Sequence, residues 1–156
     1  MSGQSTVAVA KALADALLAG EDVLCVLLSG NTTSWQTDAT AEGFDFLDDI
    51  TDDEPAWTGY SRQTLTSVTV TENASSGRAE VDAADVAFGS TIDSSAATVD
   101  GVAFAIDGAS DAERKLIGIY NVTGESTANR TPDGESEFSV QIGASGFWHV
   151  IVRKAS

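Results

Sequence analysis

The chain has 156 residues, 42% of them hydrophobic, which is enough for one domain, residues 1–156, with a buried core. Eight Lys and Arg residues against 24 Asp and Glu residues give a net charge of −16. Nucleic acid and anionic membranes are bound through Lys and Arg, so this charge argues against both as partners. The composition also excludes collagen-like, Pro-rich and wholly disordered classes.

Residues 5–19 are predicted to form a short α-helix. One face of this helix is apolar, and its residues are Val9, Leu13, Ala16 and Leu17. Lys11 and Asp15 fall on the other side. A helix that binds a membrane surface is rich in basic residues, and this one is not. We therefore expect the apolar face to dock on a sheet.

The next segment, "DVLCVLLSG", is predicted to be a buried strand because it is short, apolar and β-branched at its centre. It contains Cys25, the only cysteine, which excludes an internal disulfide. We expect an inert core thiol. Residues 29–43 are polar and rich in Thr, which indicates a loop.

The segment "FDFLDDITDDEPAW" combines apolar residues with a run of acids, and it predicts irregular structure or one helical turn. The acids are Asp48, Asp49, Asp52, Asp53 and Glu54. Calcium prefers such oxygen ligands, but the spacing of an EF-hand loop is absent. A solvated acidic loop without metal is the favoured interpretation.

From residue 65 onward the apolar pattern has a period of two, which is typical of strands. "LTSVTVTEN" and "RAEVDAADVAFGS" are joined by the turn "NASSG" and predict a hairpin. "TVDGVAFAID" alternates in the same way, and "RKLIGIYNV", "EFSVQIG" and "GFWHVIV" add further strands. The fold class is therefore mainly β, an antiparallel β-sandwich or partly closed barrel with a short N-terminal α-helix.

No pattern of reactive residues points to catalysis. The only histidine, His149, lies in a predicted strand without a recognisable nucleophile nearby. Ser145 lies between glycines, but its context is not the G-x-S-x-G elbow. A phosphate-binding glycine loop and a Cys/His zinc set are also absent from the sequence. We predict a protein that is not an enzyme and uses no cofactor or metal.

The order of several segments resembles a widespread group of small virion structural proteins of tailed bacteriophages. These segments are "KALADALLAGEDVLCVLL", "FDFLDDI", "GYSRQTLTSVTVTENASSGRAEVDAADVAFGS", "GVAFAIDGASDAERKLIGIYNV" and "PDGESEFSVQIGASGF". In that group a paired final hairpin ends the domain. The resemblance spans nearly the whole chain. It marks "GYSRQTLTSVTV" as structural: Gly59 permits a turn, Tyr60 and Leu65 pack, and Arg62 pairs with an acid.

The resemblance implies a capsid decoration or cement protein on the outer surface of the virion, made in the host bacterial cytoplasm. Its partners would be the major capsid protein and further copies of itself, as a trimer. Two alternatives remain open. One is a tail or head-to-tail connector component, such as a tail-tube, terminator or fibre-associated subunit. The other is a carbohydrate-binding β-sandwich that presents Trp35 and Trp57, for which core or interface packing is the favoured interpretation.

Loops and termini carry function on rigid scaffolds, so we place the candidate partner contacts there. They are Ser2, Gln4, Thr33, Trp35, Asp48, Asp49, Asp52, Asp53, Trp57, Arg153 and Lys154.

Overall fold

The structure is a computed structural model that describes residues 4–30, 44–143, 146 and 148–150. The helices in this part of the chain are α1 (Gln4–Leu18), a 3-10 helix (Leu47–Asp53) and α2 (Thr127–Arg130). The strands are β1 (Val23–Leu28), β2 (Gln63–Thr64), β3 (Thr69–Asn73), β4 (Arg78–Asp82), β5 (Val86–Gly89), β6 (Gly101–Ile106), β7 (Leu116–Asn121), β8 (Phe138–Val140) and β9 (Trp148–Val150). The predicted mainly β fold with an N-terminal helix is confirmed.

The strands form three sheets in which every pairing is antiparallel. One sheet has the order β2-β1-β6-β7, a second has the order β3-β4-β9, and β5 pairs with β8. A core of side chains from β1 and β6 meets side chains from β4 and β5, which gives a sandwich-like arrangement. The described strands do not close into a barrel.

The two central strands of the four-stranded sheet are buried on both faces. Val23, Cys25 and Leu27 of β1 point into the main core. The alternate residues of β1 pack with Leu47 and Ile50 of the 3-10 helix. All six residues of β6 are buried as well, so the half-exposed alternation predicted for "GVAFAI" is wrong. Its intervening residues are Gly and Ala, which are small enough to be covered on the second face.

The predicted β3–β4 hairpin is confirmed, with Thr69 opposite Asp82 and Asn73 opposite Arg78. In the part of the chain that the structure describes, β8 pairs with β5 and β9 pairs with β4, so these two strands do not form the expected final hairpin with each other. The last two strands therefore lie in different sheets. The remainder of the predicted strand "GFWHVIV" and the turn at Ser145 fall outside the described residues, as do residues 31–43 of the predicted loop.

Helix α1 packs on β3 and β4, but not with the face that the sequence analysis selected. Ala10 and Ala14 are fully buried, and Leu18 packs against the core. Val9 and Leu13, on the predicted docking face, are exposed. Alanines let the helix backbone approach the sheet closely, and this helix is apolar around most of its circumference. Periodicity alone could not identify which apolar row faces inward.

Candidate protein-interaction surfaces

The acidic segment is a folded element rather than a solvated loop. Its 3-10 helix anchors on the four-stranded sheet through Leu47 and Ile50, which are fully buried. Asp49 closes the start of the helix, since its Oδ2 accepts hydrogen bonds from the backbone N–H groups of Asp45 and Phe46, each at 2.9 Å. Asp49 therefore has a structural role at the start of this helix.

The four candidate aspartates of this helix divide by exposure. Asp48 and Asp52 are exposed and remain available to a partner. Asp49 is half-buried and serves as the cap. Asp53 is 1% exposed, and its carbonyl accepts the N–H of Ser29 at 2.8 Å. The prediction of Asp53 as a surface contact is therefore wrong, because the helix turns this residue toward the sheet.

Glu54 binds two side chains of the "GYSRQTLTSVTV" segment. Arg62 donates to it from Nη2 at 2.6 Å and from Nε at 2.9 Å, and the Tyr60 hydroxyl donates at 2.9 Å. The same hydroxyl accepts the N–H of Leu27 in β1 at 3.2 Å. Burial, followed by the charge of Glu54, raises the pKa of Tyr60, which keeps the phenol neutral as a donor.

Arg62 extends this network to a loop that is distant in sequence. It donates to both carboxylate oxygens of Asp111, at 2.5 and 2.9 Å. Asp111 also accepts from Arg114 at 2.6 Å, and Arg114 donates to Asp107 at 2.7 Å. Hydrogen bonds from Arg62 are the main reason that the pKa of Asp111 falls from its ordinary 3.8 to about 2. The predicted pairing of Arg62 with an acid is confirmed, and the network joins three segments.

Of the other candidate contacts, the structure describes Trp57 and Gln4. Trp57 is half-buried and packs against the main core, on the sheet face opposite the 3-10 helix, as its favoured interpretation predicted. Gln4 begins α1. The remaining candidates, Ser2, Thr33, Trp35, Arg153 and Lys154, lie outside the described residues.

An apolar stripe on α1 is the surface that the sequence analysis missed. Val9, Leu13 and Leu17 follow one another at intervals of four residues and are 48%, 55% and 38% exposed. The alanines Ala8, Ala12 and Ala16 form a neighbouring row and are exposed too. The four-residue spacing of this stripe is visible in the sequence, where it predicts a helix face that docks on a sheet rather than an exposed one. Within the described residues, no other element presents a comparable row of large exposed side chains.

A groove with a volume of about 750 Å³ lies between β8 and the α2 segment. Its apolar lining residues include Val99, Val102, Val122, Phe138 and Val140. Glu125, Asp133 and Glu137 also line it, and the one cation among its lining residues, Arg130, is held by Asp100 at 3.0 Å. This charge pattern favours a cationic over an anionic ligand.

Cys25 is fully buried, and burial raises the pKa of its thiol from 9.0 to about 12. The predicted core position of this thiol is confirmed. Among the described residues, no group of three or more His, Cys, Asp or Glu side chains is arranged to hold a metal ion. Neither described α-helix has the length and apolar character needed to span a membrane.

Comparison with known proteins returns no match: no family model, no curated protein and no solved structure corresponds to this chain.

Proposed function

We propose that this chain is a structural protein of tailed-bacteriophage virions, specifically a decoration or cement protein that binds the outer shell. The segment order described above supports the virion assignment. The single structural observation that carries a binding role is the apolar stripe Val9–Leu13–Leu17. Large apolar side chains in a row on a rigid element mark a surface that another molecule covers.

The occupant of that stripe is a protein rather than a membrane. Helices that lie on membrane surfaces carry Lys and Arg along their polar face. Helix α1 carries one basic residue among its described side chains, Lys11, and this pairs with Asp15 at 2.6 Å. A chain with a net charge of −16 is also repelled by anionic lipid.

The charge of the chain suits an outward position on a particle. An acidic surface keeps neighbouring virions apart and does not bind DNA. The exposed Asp48 and Asp52 stand on a 3-10 helix that is fixed to the sheet, so they offer a preorganised acidic contact for a basic patch on the shell. Ser2, Gln4, Thr33, Trp35, Arg153 and Lys154 remain proposed contacts on the basis of sequence.

Such a protein would act by mass action. A protein that binds the assembled shell but not its separated subunits shifts the equilibrium toward assembly, and many copies multiply a modest contact. The protein must be rigid for this role, because a protein that deforms easily does little to hold neighbouring shell subunits together. The Arg62 network and the doubly covered β1 and β6 strands provide such rigidity.

The proposal is tested by heating virions that lack this protein beside complete virions, with DNA release followed by a dye. We expect DNA release at a lower temperature when the protein is missing, and recovery when purified protein is added back. Identical release temperatures with and without the protein would contradict a cement function.

A further inference from the structure

Helix α1 presents two adjacent exposed rows of different height. Val9, Leu13 and Leu17 form a ridge, and the alanine row beside it (Ala8, Ala12 and Ala16) forms a shallow groove. Helices pack by setting such ridges into such grooves. The two rows together give the helix a broad exposed apolar face that a second helix can cover.

We propose that the stripe is covered by α1 of a second copy, packed antiparallel about a two-fold axis near Leu13. In a two-fold contact the same surface is used twice, so it must be complementary to itself. An antiparallel helix centred on Leu13 meets this condition, because Val9 of each copy faces Leu17 of the other. The two ridges then meet along their length, and the two alanine rows face each other beside them.

Charge favours a second copy at this place. Two chains that each carry −16 repel one another over most of their surfaces. Helix α1 contains one Lys and one Asp, which form an ion pair with each other, so its net charge is zero. It is therefore a face on which two copies can approach with little electrostatic cost.

The size of the contact sets its expected strength. A helix of 15 residues has about four turns, and one helix pair buries less than the roughly 1,600 Å² of a standard interface. We therefore expect weak, concentration-dependent pairing in solution. On a particle, neighbouring copies are held at high local concentration, which favours the same contact. In this respect the inference rests on the proposed function, since the shell is where the copies meet.

Sedimentation velocity over a concentration series of the full-length protein tests the pairing. Leu13→Gln removes the centre of the ridge at a position that is 55% exposed, so the fold should survive, which a thermal melt checks. We expect association to weaken roughly tenfold or more. Tyr120→Gln is the matched control, because Tyr120 is 40% exposed but lies on β7, away from α1, and its loss should leave pairing unchanged.

Cysteine cross-linking tests the geometry. Leu13→Cys should form a disulfide-linked dimer, because the two-fold axis brings the two copies of this position together. Lys11→Cys, on the other side of the helix, should not. The native Cys25 is fully buried and does not interfere. Cross-linking at position 11 in preference to position 13 would overturn the proposed packing.

The outcomes separate this inference from the proposed function. A protein that stays monomeric at all concentrations overturns the pairing. If the wild type stays monomeric in solution and Leu13→Gln nevertheless lowers its retention on virions, the stripe is covered by the shell, and the cement function stands without the pairing. A protein that pairs as described but is absent from virions supports the inference and overturns the function.

Discussion

Arg62 donates two hydrogen bonds to Asp111, a residue 49 positions later in the chain, while it also holds Glu54. One guanidinium thus ties the end of the 3-10 helix to the loop after β6 and to the segment that leads into β2. A planar fork of five donors can satisfy two carboxylates at once, which the single ammonium of a lysine cannot do in the same geometry.

Replacing this guanidinium should destabilise the fold. Arg62→Met keeps the length of the side chain and leaves two half-buried carboxylates without it, so we expect a loss of about 2–3 kcal/mol in the free energy of unfolding. Lys11→Met is the control, because it breaks an exposed ion pair on a helix and should cost less than about 0.5 kcal/mol. Urea unfolding measures both. Equal costs would show that the Arg62 network is worth no more than a surface pair.

Gly59 lies against the backbone of Thr91 so closely that a side chain does not fit. Its φ is +74°, and an added Cβ would stand 2.2 Å from the Thr91 carbonyl oxygen. Gly59→Ala should therefore unfold at a lower urea concentration than Gly20→Ala. Gly20 has a φ of +76° with open space around it, so its substitution should cost only the left-handed strain of about 1–2 kcal/mol. The clash at Gly59 should add at least about 2 kcal/mol. Matching losses at the two positions would mean that the contact with Thr91 is not tight.

Acid should weaken the protein through Asp111. Arg62 and Arg114 hold the pKa of this carboxyl at about 2, below its ordinary 3.8. A depressed folded-state pKa gives stability that is present above pH 3.8 and is lost as the pH falls toward 2. The difference in unfolding free energy between the wild type and Asp111→Asn should therefore be constant from neutral pH down to about 4 and shrink below it. A difference that stays constant down to pH 2 would contradict the assignment.

The Cys25 thiol should be unreactive in the folded protein. Its pKa is raised to about 12 from 9.0, so the thiol is neutral at physiological pH and has no access to solvent. The buried neutral thiol contributes fully to the free energy of unfolding below pH 9. This contribution is lost as the pH rises from 9 toward 12, because the unfolded chain then loses the thiol proton while the folded chain keeps it. We expect a thiol reagent to label native protein only at the rate of unfolding, and urea-unfolded protein at once. Fast labelling of the native protein would contradict the burial.

The elements that could be predicted from the sequence are those with a strong local pattern. The strand at Val23–Leu28, the β3–β4 hairpin and the N-terminal helix all follow from apolar spacing and turn residues. The pairings of β8 with β5 and of β9 with β4 depend on long-range contacts, which short apolar runs do not encode. The fold class could therefore be predicted from the sequence, but the pairing partners of β8 and β9 could not.

The candidate surface was harder to predict for a physical reason. In α1 the residues with the larger side chains, Val9 and Leu13, face outward, while Ala10 and Ala14 dock. A rule that buries the largest apolar residues fails where a helix approaches a sheet through alanines. The acidic run shows the opposite error, since its charge predicts a solvated loop. Leu47 and Ile50 are instead buried against the sheet, and Asp53 is buried with them.

The copy number of this protein in purified virions, measured by quantitative mass spectrometry against the major capsid protein, tests the central claim most directly. A decoration protein should be present in numbers comparable to the major capsid subunit, because it covers repeated sites on the shell. A handful of copies per particle would contradict a shell-covering role and assign the protein to the tail or neck. Absence from the particles would contradict the virion assignment itself.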